Sequence, residues 1–136
     1  MRKNKNVPFS GVLRRLEAFT LPDADLVVGI GESGAVAASL VAAKLGCELF
    51  MLSISFRQPD NQPMFSRPQL RTPLGRIPAA TRVLLVDDVS VTGKTLALAK
   101  KALRGRRIKT FVLKGKADYV LFPEIKACVS WPWKSR

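Results

Sequence analysis

One stretch of the sequence, from Val83 to Leu96, constrains the fold of this chain more than any other. It begins with four apolar residues, Val83 to Val86, which suit a strand buried in a parallel sheet. Two adjacent carboxylates follow, Asp87 and Asp88, and a Thr-Gly-Lys-Thr turn then leads into an amphipathic segment from Leu96 to Leu103. The order of strand, turn and helix predicts a βα unit of an α/β protein.

The turn of this unit has the chemistry of a phosphate site. Backbone N–H groups of such a turn and the N-terminus of the following helix point to one place and attract an anion. The neighbouring carboxylates suit hydroxyl groups or Mg²⁺, so the combination predicts a sugar phosphate as ligand. The alternative is a βα unit in which Asp87 and Asp88 are solvated and Thr92 caps the helix. Burial at a strand end disfavours that alternative, because desolvated carboxylates cost free energy unless a ligand or metal compensates them.

A further alternative is the P-loop of nucleotide-binding proteins, because Gly93-Lys94-Thr95 matches its last three residues. That motif also requires a glycine five positions before Gly93. Asp88 occupies this position, so the sequence excludes a P-loop of that kind.

Composition limits the chemistry that remains. The 136 residues suit one domain, and we expect residues 1–136 to form it. Histidine is absent, which excludes Ser-His and Cys-His nucleophilic catalysis and leaves ten carboxylates, the lysines and one tyrosine for proton transfer. Cys47 and Cys128 lack metal-ligand spacing and lie in apolar runs, so we expect buried, reduced thiols and no zinc.

Two bulk properties bear on location and partners. No apolar run approaches the ~20 residues of a membrane span, and residues 1–5 are not followed by the apolar core of a secretory signal, so we expect a cytoplasmic protein with no membrane partner. The net charge of +13, from 23 Lys and Arg against 10 Asp and Glu, favours an anionic partner. A polyphosphorylated small molecule, a nucleic acid and an acidic protein all fit this charge. The basic run from Lys100 to Lys109 is more typical of a solvated helix end.

The remaining pattern alternates strands and helices. Such alternation predicts parallel strands joined by right-handed crossovers, with ligands bound at the carboxyl ends of the strands. The turn at Gly31–Gly34 and the segment Asp87–Thr95 both lie at such ends. The segment Phe56–Ala80 is rich in proline and arginine and predicts a long functional loop. The predicted elements are helices at Phe9–Phe19 and Ala35–Leu45 and strands at Leu26–Ile30, Leu49–Ser55, Ile108–Leu113, Tyr119–Phe122 and Ala127–Val129.

The stretch from Val83 to Leu96 resembles the signature with which type I phosphoribosyltransferases bind 5-phosphoribosyl-1-pyrophosphate (PRPP): a hydrophobic strand, two acidic residues and a Thr-Gly-x-Thr phosphate loop. Gly31-Glu32-Ser33-Gly34 falls where that family has its pyrophosphate loop, and Phe56–Ala80 falls where it has a flexible loop that closes over the reacting centre. The resemblance implies an α/β fold with a parallel-sheet core flanked by helices. It also implies a long flexible loop at about 56–80 and a small C-terminal hood at about 114–133.

For function, the resemblance implies transfer of the 5-phosphoribosyl group of PRPP to a nucleobase, with Mg²⁺ as cofactor and pyrophosphate as leaving group. By analogy with the family, Asp87 and Asp88 hold the ribose hydroxyls and help to place Mg²⁺. Members of the family commonly form homodimers, and we expect one here. The residues implied for the 5-phosphate are Ser90, Thr92, Gly93, Lys94 and Thr95, and those for pyrophosphate are Gly31, Glu32, Ser33 and Gly34.

The C-terminal part most resembles the small xanthine-guanine and hypoxanthine phosphoribosyltransferases. Phe111-Val112-Leu113-Lys114 is similar to the strand and lysine that read the 6-oxo group of a purine, and Val129 to Trp133 is similar to the ending of the xanthine-guanine enzymes. The resemblance therefore implies a purine as the base. The base-binding residues that it implies are Lys114, Tyr119, Cys128, Val129 and Trp131.

Two positions depart from the family pattern. The 6-oxopurine enzymes carry an aspartate general base just before Thr-Gly, where this chain has Val91. Their pyrophosphate loop commonly carries a basic residue where this chain has Glu32 or Ser33. An alternative function is therefore a non-catalytic PRPP-sensing regulatory protein that binds RNA or DNA through its basic surface, although the sequence contains no recognised nucleic-acid-binding motif.

Overall fold

A parallel sheet at the centre of the chain organises the other elements. The computed structural model describes residues 4–55 and 69–134. In chain order its elements are β1 (Lys5–Asn6), α1 (Phe9–Ala18), β2 (Leu26–Ile30), α2 (Ala35–Leu45), β3 (Glu48–Leu52), β4 (Ile54–Ser55), β5 (Gln69–Leu70), a 3₁₀ turn (Leu74–Arg76), β6 (Arg82–Ser90), α3 (Lys94–Ala102), β7 (Arg107–Gly115), β8 (Tyr119–Val120) and β9 (Val129–Ser130).

The main sheet has five strands in the order β3-β2-β6-β7-β8, and every neighbouring pair is parallel. The register places Gly29 of β2 opposite Val86 of β6, and Val86 opposite Phe111 of β7. Because the strands run in the same direction, their carboxyl ends share one edge of the sheet. This edge brings the turn after β2 next to the turn after β6.

The two faces of the sheet bury different side chains, because successive residues of a strand point to opposite faces. Leu84 and Val86 of β6 pack on the side that α1 and α2 cover. Val83 and Leu85 pack on the other side, against Leu96 and its neighbours from α3. The apolar run of β6 therefore has no solvent-facing position, which explains why it is continuous rather than alternating.

The C-terminal segment packs back against α1. Arg15 of α1 donates a hydrogen bond to the carbonyl oxygen of Leu121 at 3.0 Å and forms an ion pair with Glu124. Its guanidinium lies 4.5 Å from the ring centroid of Phe122. Further on, β9 pairs in parallel with β1 at the start of the described chain. The expected hood at about 114–133 contains β8 and β9, and its role over a ligand stays a prediction.

The structure confirms the predicted α/β architecture, in which helices flank a parallel sheet, and it changes several boundaries. β6 continues beyond its apolar run, through Asp87 and Asp88, and ends at Ser90. The predicted strand Leu49–Ser55 is divided, because Glu48–Leu52 joins the main sheet while β4 pairs antiparallel with β5.

Three further expectations concern the long loop, the two cysteines and a membrane-spanning segment. Residues 56–68 of the predicted loop lie outside the described residues, so its flexibility stays a prediction; the rest of that loop contains β5 and the 3₁₀ turn. The expectation of two buried thiols is wrong, because Cys128 is exposed just before the short strand β9 and Cys47 is only half-buried. No helix in the described part of the chain is long and apolar enough to cross a membrane.

Replacement of Gly115 by alanine should destabilise the fold strongly. Gly115 ends β7 at φ +115°, and a Cβ atom there would lie 1.9 Å from the carbonyl oxygen of Ser90 on β6. Since relief of this clash requires backbone movement, we expect Gly115→Ala to lower the free energy of unfolding by about 2 kcal/mol or more, as measured by urea denaturation. Gly75→Ala is the control, because a Cβ atom at that position would meet no atom of the rest of the fold within 4 Å. Equal unfolding midpoints for the two variants would contradict the prediction.

Candidate active site

Two turns meet at the carboxyl edge of the main sheet. Gly31–Gly34 follows β2, and residues 91–93 follow the neighbouring strand β6. The first turn contacts β6 itself, since the Ser33 hydroxyl donates a hydrogen bond to Oδ1 of Asp87 at 3.1 Å. A cavity of about 390 Å³ lies here, which we call the turn cavity. Its lining residues are Ile30, Gly31, Glu32, Ser33, Ser53, Ile54, Asp87 and Thr95.

The close approach of the first turn to β6 depends on its two glycines. A Cβ atom at Gly34 would lie 3.0 Å from Oδ1 of Asp87 and 3.0 Å from the carbonyl oxygen of Val86. Gly31 has φ +46°, a conformation that side chains with a Cβ atom disfavour, and its N–H donates to the carbonyl of Leu52 at 2.6 Å. One glycine therefore turns the chain, and the other makes room for the Asp87 carboxyl group.

Asp87 is a buried carboxyl group that lines the turn cavity. Its exposed fraction is 5%, and its Oδ1 accepts hydrogen bonds from the Ser33 hydroxyl and, at 2.8 Å, from the N–H of Asp88. Burial, followed by the negative charge of Asp88, raises the pKa of Asp87 to about 7. Asp87 therefore changes its charge near neutral pH when no ligand is bound.

Asp88 lines a second cavity. Adjacent side chains of a strand point to opposite sides, so Asp88 and Asp87 face different spaces. Oδ1 of Asp88 accepts a hydrogen bond from the N–H of Val89 at 2.7 Å, and Oδ2 forms an ion pair with Nζ of Lys134 at 2.9 Å. We call this space of about 650 Å³ the tail cavity. Its lining residues are Asn4, Asp88, Val89, Val129, Ser130, Trp131 and Lys134.

The turn after β6 presents the N-terminus of α3. Gly93, at φ +81°, directly precedes the helix, and no acidic residue lies in the first helical turn. The hydroxyl oxygen of Thr92 accepts a hydrogen bond from the N–H of Lys94 at 3.3 Å, and Thr95 lines the turn cavity. A helix N-terminus attracts anions through its N–H groups and its dipole. Phosphate binding at this turn stays a prediction, and the carboxyl group of Asp87 lies in the same cavity as Thr95.

The two residues before Thr92 differ in exposure. Ser90, the last residue of β6, is buried, and its carbonyl oxygen accepts a hydrogen bond from the N–H of Lys116 at 2.9 Å. The Val91 residue is 71% exposed. The position at which the 6-oxopurine enzymes carry a general base is thus open to solvent in this chain, so a polar side chain there would need no change in core packing.

Two of the five predicted base-binding residues lie beside the acidic pair. Val129 and Trp131 line the tail cavity together with Asp88. The Trp131 ring stacks on the ring of Trp133, with centroids 5.7 Å apart and an interplanar angle of 7°. The Nε1 atom of Trp131 is buried and has no hydrogen-bond partner among the described residues. Trp131 therefore borders the tail cavity as a core residue that is only 4% exposed.

The other three predicted base-binding residues do not line the tail cavity. Lys114 of β7 lies opposite Val89 in the strand register. Tyr119 packs edge-to-face on Phe19, with ring centroids 6.4 Å apart. Cys128 is exposed immediately before Val129. A role for these three residues in base binding stays a prediction.

Sequence reasoning missed seven of the residues that line the two cavities, namely Asn4, Ile30, Ser53, Ile54, Val89, Ser130 and Lys134. Ser53 had a usable signal, because it is a polar residue directly after β3, and β3 ends beside β2. Lys134 had no local signal. Its partner Asp88 lies far earlier in the chain, and only the folded tail brings the two together.

The acidic pair fits a metal ion that arrives with a ligand. Among the described residues no group of three or more His, Cys, Asp or Glu side chains could hold an ion by itself. In phosphate chemistry Mg²⁺ typically takes one or two oxygens from carboxylates and the rest from phosphates and water. Asp87 and Asp88 face different cavities, so each cavity offers one carboxylate, a number that fits Mg²⁺ bound together with a phosphorylated ligand.

Comparison with known proteins identifies a family model and a similar sequence. Residues 12–135 match the family model described as phosphoribosyl transferase domain. The adenine phosphoribosyltransferase of Acidiphilium cryptum (strain JF-5) is 30% identical over 86 residues, which cover 59% of this chain and 50% of that protein. The match thus spans half the length of this relative.

Solved structures share the fold. The purine phosphoribosyltransferase from Pyrococcus horikoshii Ot3 has a TM-score of 0.77 and 22% identity, with coverage of 98% of this chain and 95% of that chain. A hypothetical protein from Neisseria gonorrhoeae with bound ppGpp has a TM-score of 0.76 and 19% identity, with coverage of 99% and 91%. At identities this low, the structural similarity establishes a common fold and nothing more.

The buried carboxyl group of Asp87 should make stability depend on pH. Its pKa is raised to about 7 from the ordinary value of 3.8, so between these values the folded state binds more protons than the unfolded state. This group should therefore lower the free energy of unfolding as the pH rises from about 4 to about 7. Asp87→Asn keeps the acceptor oxygen without the charge, and we expect it to be more stable than the wild type by about 1–3 kcal/mol above the folded-state pKa.

Urea unfolding at about pH 5 and about pH 8, without Mg²⁺ or phosphate, measures this effect. The difference between variant and wild type isolates Asp87 from the other carboxyl groups. Asp23→Asn is the matched control, because the Asp23 side chain is 90% exposed and should give no such difference. A stability gain from Asp87→Asn that is the same at both pH values would contradict the prediction.

Proposed function

The chain belongs to the phosphoribosyl transferase domain family, whose model spans residues 12–135, and we propose that it transfers the 5-phosphoribosyl group of PRPP to a purine base with release of pyrophosphate. One observation carries the proposal. Asp87 and Asp88 are buried at the end of the central strand, directly before the N-terminus of α3, and each lines a cavity. A phosphorylated sugar needs this combination of hydroxyl acceptors and anion-binding backbone.

The turn cavity suits the PRPP half of the reaction. N–H groups at the start of α3 would bind the 5-phosphate, and Asp87 would accept a hydrogen bond from a ribose hydroxyl inside the turn cavity. Asp88 would accept one from the side of the tail cavity. The exposed carboxylate of Glu32 would repel pyrophosphate unless a cation lay between them, which favours a metal-bound form of PRPP. The residues proposed for the 5-phosphate are Ser90, Thr92, Gly93, Lys94 and Thr95, and those for pyrophosphate are Gly31, Glu32, Ser33 and Gly34.

The tail cavity suits the base. Its volume of about 650 Å³ falls within the usual range of small-molecule sites. Trp131 contributes little accessible surface, because it is 4% exposed and its ring stacks on that of Trp133. The half-buried side chains of Val89 and Val129 offer the apolar surface against which a planar purine would pack. Lys114, Tyr119 and Cys128 are proposed as base-binding residues from the family resemblance alone.

The proposed reaction is a displacement at the anomeric carbon of the ribose. The bond to pyrophosphate breaks, positive charge develops on the ribose ring, and a nitrogen of the base forms the new bond while the base gives up its ring N–H proton to water or to the departing pyrophosphate. Mg²⁺, when bound with PRPP, neutralises charge on the departing pyrophosphate. Asp87 and Asp88 orient the ring through its hydroxyls, and the tail cavity aligns the base nitrogen with the carbon. Val91 cannot act as a general base. Most of the rate enhancement would therefore come from alignment of the base nitrogen with the anomeric carbon.

The choice of a purine rests on the similar proteins. The Acidiphilium relative is an adenine phosphoribosyltransferase, although the match spans half its length, and the Pyrococcus structure is a purine phosphoribosyltransferase. The Neisseria protein holds ppGpp, a guanine nucleotide. These similar proteins support a purine as the base that accepts the phosphoribosyl group, but they do not decide between adenine and an oxopurine. None of them favours the alternative of a sensor that binds RNA or DNA.

Other features of the proposal come from the resemblance. We propose that residues 1–136 act as one domain, that Mg²⁺ is the cofactor, and that the protein is a homodimer in the cytoplasm. Light scattering of the purified protein, with and without Mg-PRPP, measures the oligomeric state.

Binding of Mg-PRPP should raise the melting temperature, because a ligand that binds only the folded state stabilises it by mass action. The double variant Asp87→Asn, Asp88→Asn should lose most of this shift, measured against its own ligand-free melting temperature by differential scanning fluorimetry. Asp23→Asn is the control, since its exposed side chain lies outside both cavities. If Mg-PRPP raised the melting temperature of the double variant as much as that of the wild type, Asp87 and Asp88 would not be PRPP-binding residues.

Val91→Asp should raise the rate of pyrophosphate release if the chain is an oxopurine enzyme without its usual general base. Positioned acid–base groups contribute about 10²- to 10⁴-fold, and we expect a grafted carboxylate to recover a small part of this. The exposure of Val91 means that the substitution should not disturb folding. The measurement is a screen of guanine, xanthine, hypoxanthine, adenine, uracil and orotate with Mg-PRPP, applied to the wild type and the variant.

Val91→Asn is the matched control, because it has the shape of aspartate without a proton-accepting carboxylate. An equal gain in both variants would show that polarity rather than general-base catalysis is responsible. If no base releases pyrophosphate with any form, the transferase proposal fails.

A further inference from the structure

A cation from the C-terminal tail already forms an ion pair with Asp88. Nζ of Lys134 lies 2.9 Å from Oδ2 of Asp88, and the exposed fractions of the two side chains are 45% and 8%. Oδ1 of the same carboxylate accepts the N–H of Val89 at 2.7 Å. Both oxygens of Asp88 therefore have a partner within the chain, although Asp88 is a residue that the proposed function assigns to the ligand.

We propose that Lys134 is a displaceable counter-ion, a latch that neutralises Asp88 in the ligand-free protein and must leave it when Mg-PRPP binds. This inference rests on the proposed function and assigns a positioning role to a residue outside the family motif. The latch lowers the apparent affinity for PRPP, because only the fraction of molecules with an open Asp88 is competent to bind.

Competition follows from the geometry at Asp88. The carboxylate is almost fully buried, and Oδ1 is held by the backbone of the next residue. A metal ion that binds Oδ2 uses the atom that Lys134 contacts, whereas the second lone pair of Oδ1 stays available to a ribose hydroxyl. A metal ion and an ammonium group at one oxygen also repel each other. The ion pair and a metal ion that arrives with PRPP at Oδ2 thus exclude one another.

The tail holds Lys134 in reach without burying it. Trp131 anchors the tail in the core, and the backbone N–H of Lys134 donates to the carbonyl oxygen of Trp131 at 3.1 Å. The flexible stem of a lysine side chain then allows its ammonium group to leave Asp88 while the backbone stays in place. The half-exposed ammonium group of Lys134 becomes hydrated when it leaves Asp88, so its charge is not left unpaired in the core.

The latch predicts two effects of opposite sign in Lys134→Met. The ligand-free variant should melt at a lower temperature than the wild type, because Asp88 stays buried without a counter-ion. It should also bind Mg-PRPP about three- to tenfold more tightly by isothermal titration calorimetry, because no competitor remains. Lys134→Arg restores a cation and should return both quantities towards the wild type. Lys134→Gln removes the charge but keeps a hydrogen-bond donor. If Lys134→Met does not fold, the same two measurements are made on Lys134→Gln, with the same expected directions.

Lys126→Met is the matched control, because Lys126 is an exposed lysine of the same tail that lines neither cavity, and it should change neither quantity. Unchanged or weaker binding of Mg-PRPP by both Lys134→Met and Lys134→Gln, with normal binding by the wild type, would overturn the latch and leave the proposed function standing. Failure of the wild type itself to bind Mg-PRPP would overturn both.

Discussion

Two carboxyl groups buried side by side at the end of the central strand are the constraint on which the rest of the site depends. Each of them is 5% exposed, and burial of a carboxylate costs free energy unless hydrogen bonds or an opposite charge compensate it. The chain compensates the two in different ways. Asp87 accepts two hydrogen bonds and has a raised pKa, whereas Asp88 has a lysine beside it.

The surroundings of the site follow from this constraint. The turn after β2 approaches Asp87 closely because Gly34 has no Cβ atom, and Gly115 lets β7 approach Ser90 for the same reason. Strand geometry sends the adjacent carboxyl groups to opposite sides, which gives one molecule two cavities that share one acidic pair. A ligand with a phosphorylated sugar in the middle and a base at one end matches that division.

Elements with a strong local pattern could be predicted from the sequence. Leu26–Ile30 is a strand as expected, and Ala35–Leu45 is a helix that ends at Gly46 in the left-handed conformation. The short pairings of β4 with β5 and of β1 with β9 could not be predicted, because strands of two residues carry no period of their own. The burial of Cys128 was wrongly predicted for a related reason: an apolar sequence neighbourhood does not show whether the folded segment lies at an edge.

The sequence by itself determined the βα unit, the acidic pair, the glycine turn before the helix and the absence of histidine, since these depend on residue identity and on periodicity within a few positions. Only the tertiary structure decided which cavity each carboxyl group lines, that Trp131 lies beside Asp88, and that Lys134 neutralises it. The physical reason is that side-chain direction at a strand end and the choice of a charge partner depend on contacts between distant parts of the chain, which exist only after the sheet, α1 and the tail have packed together.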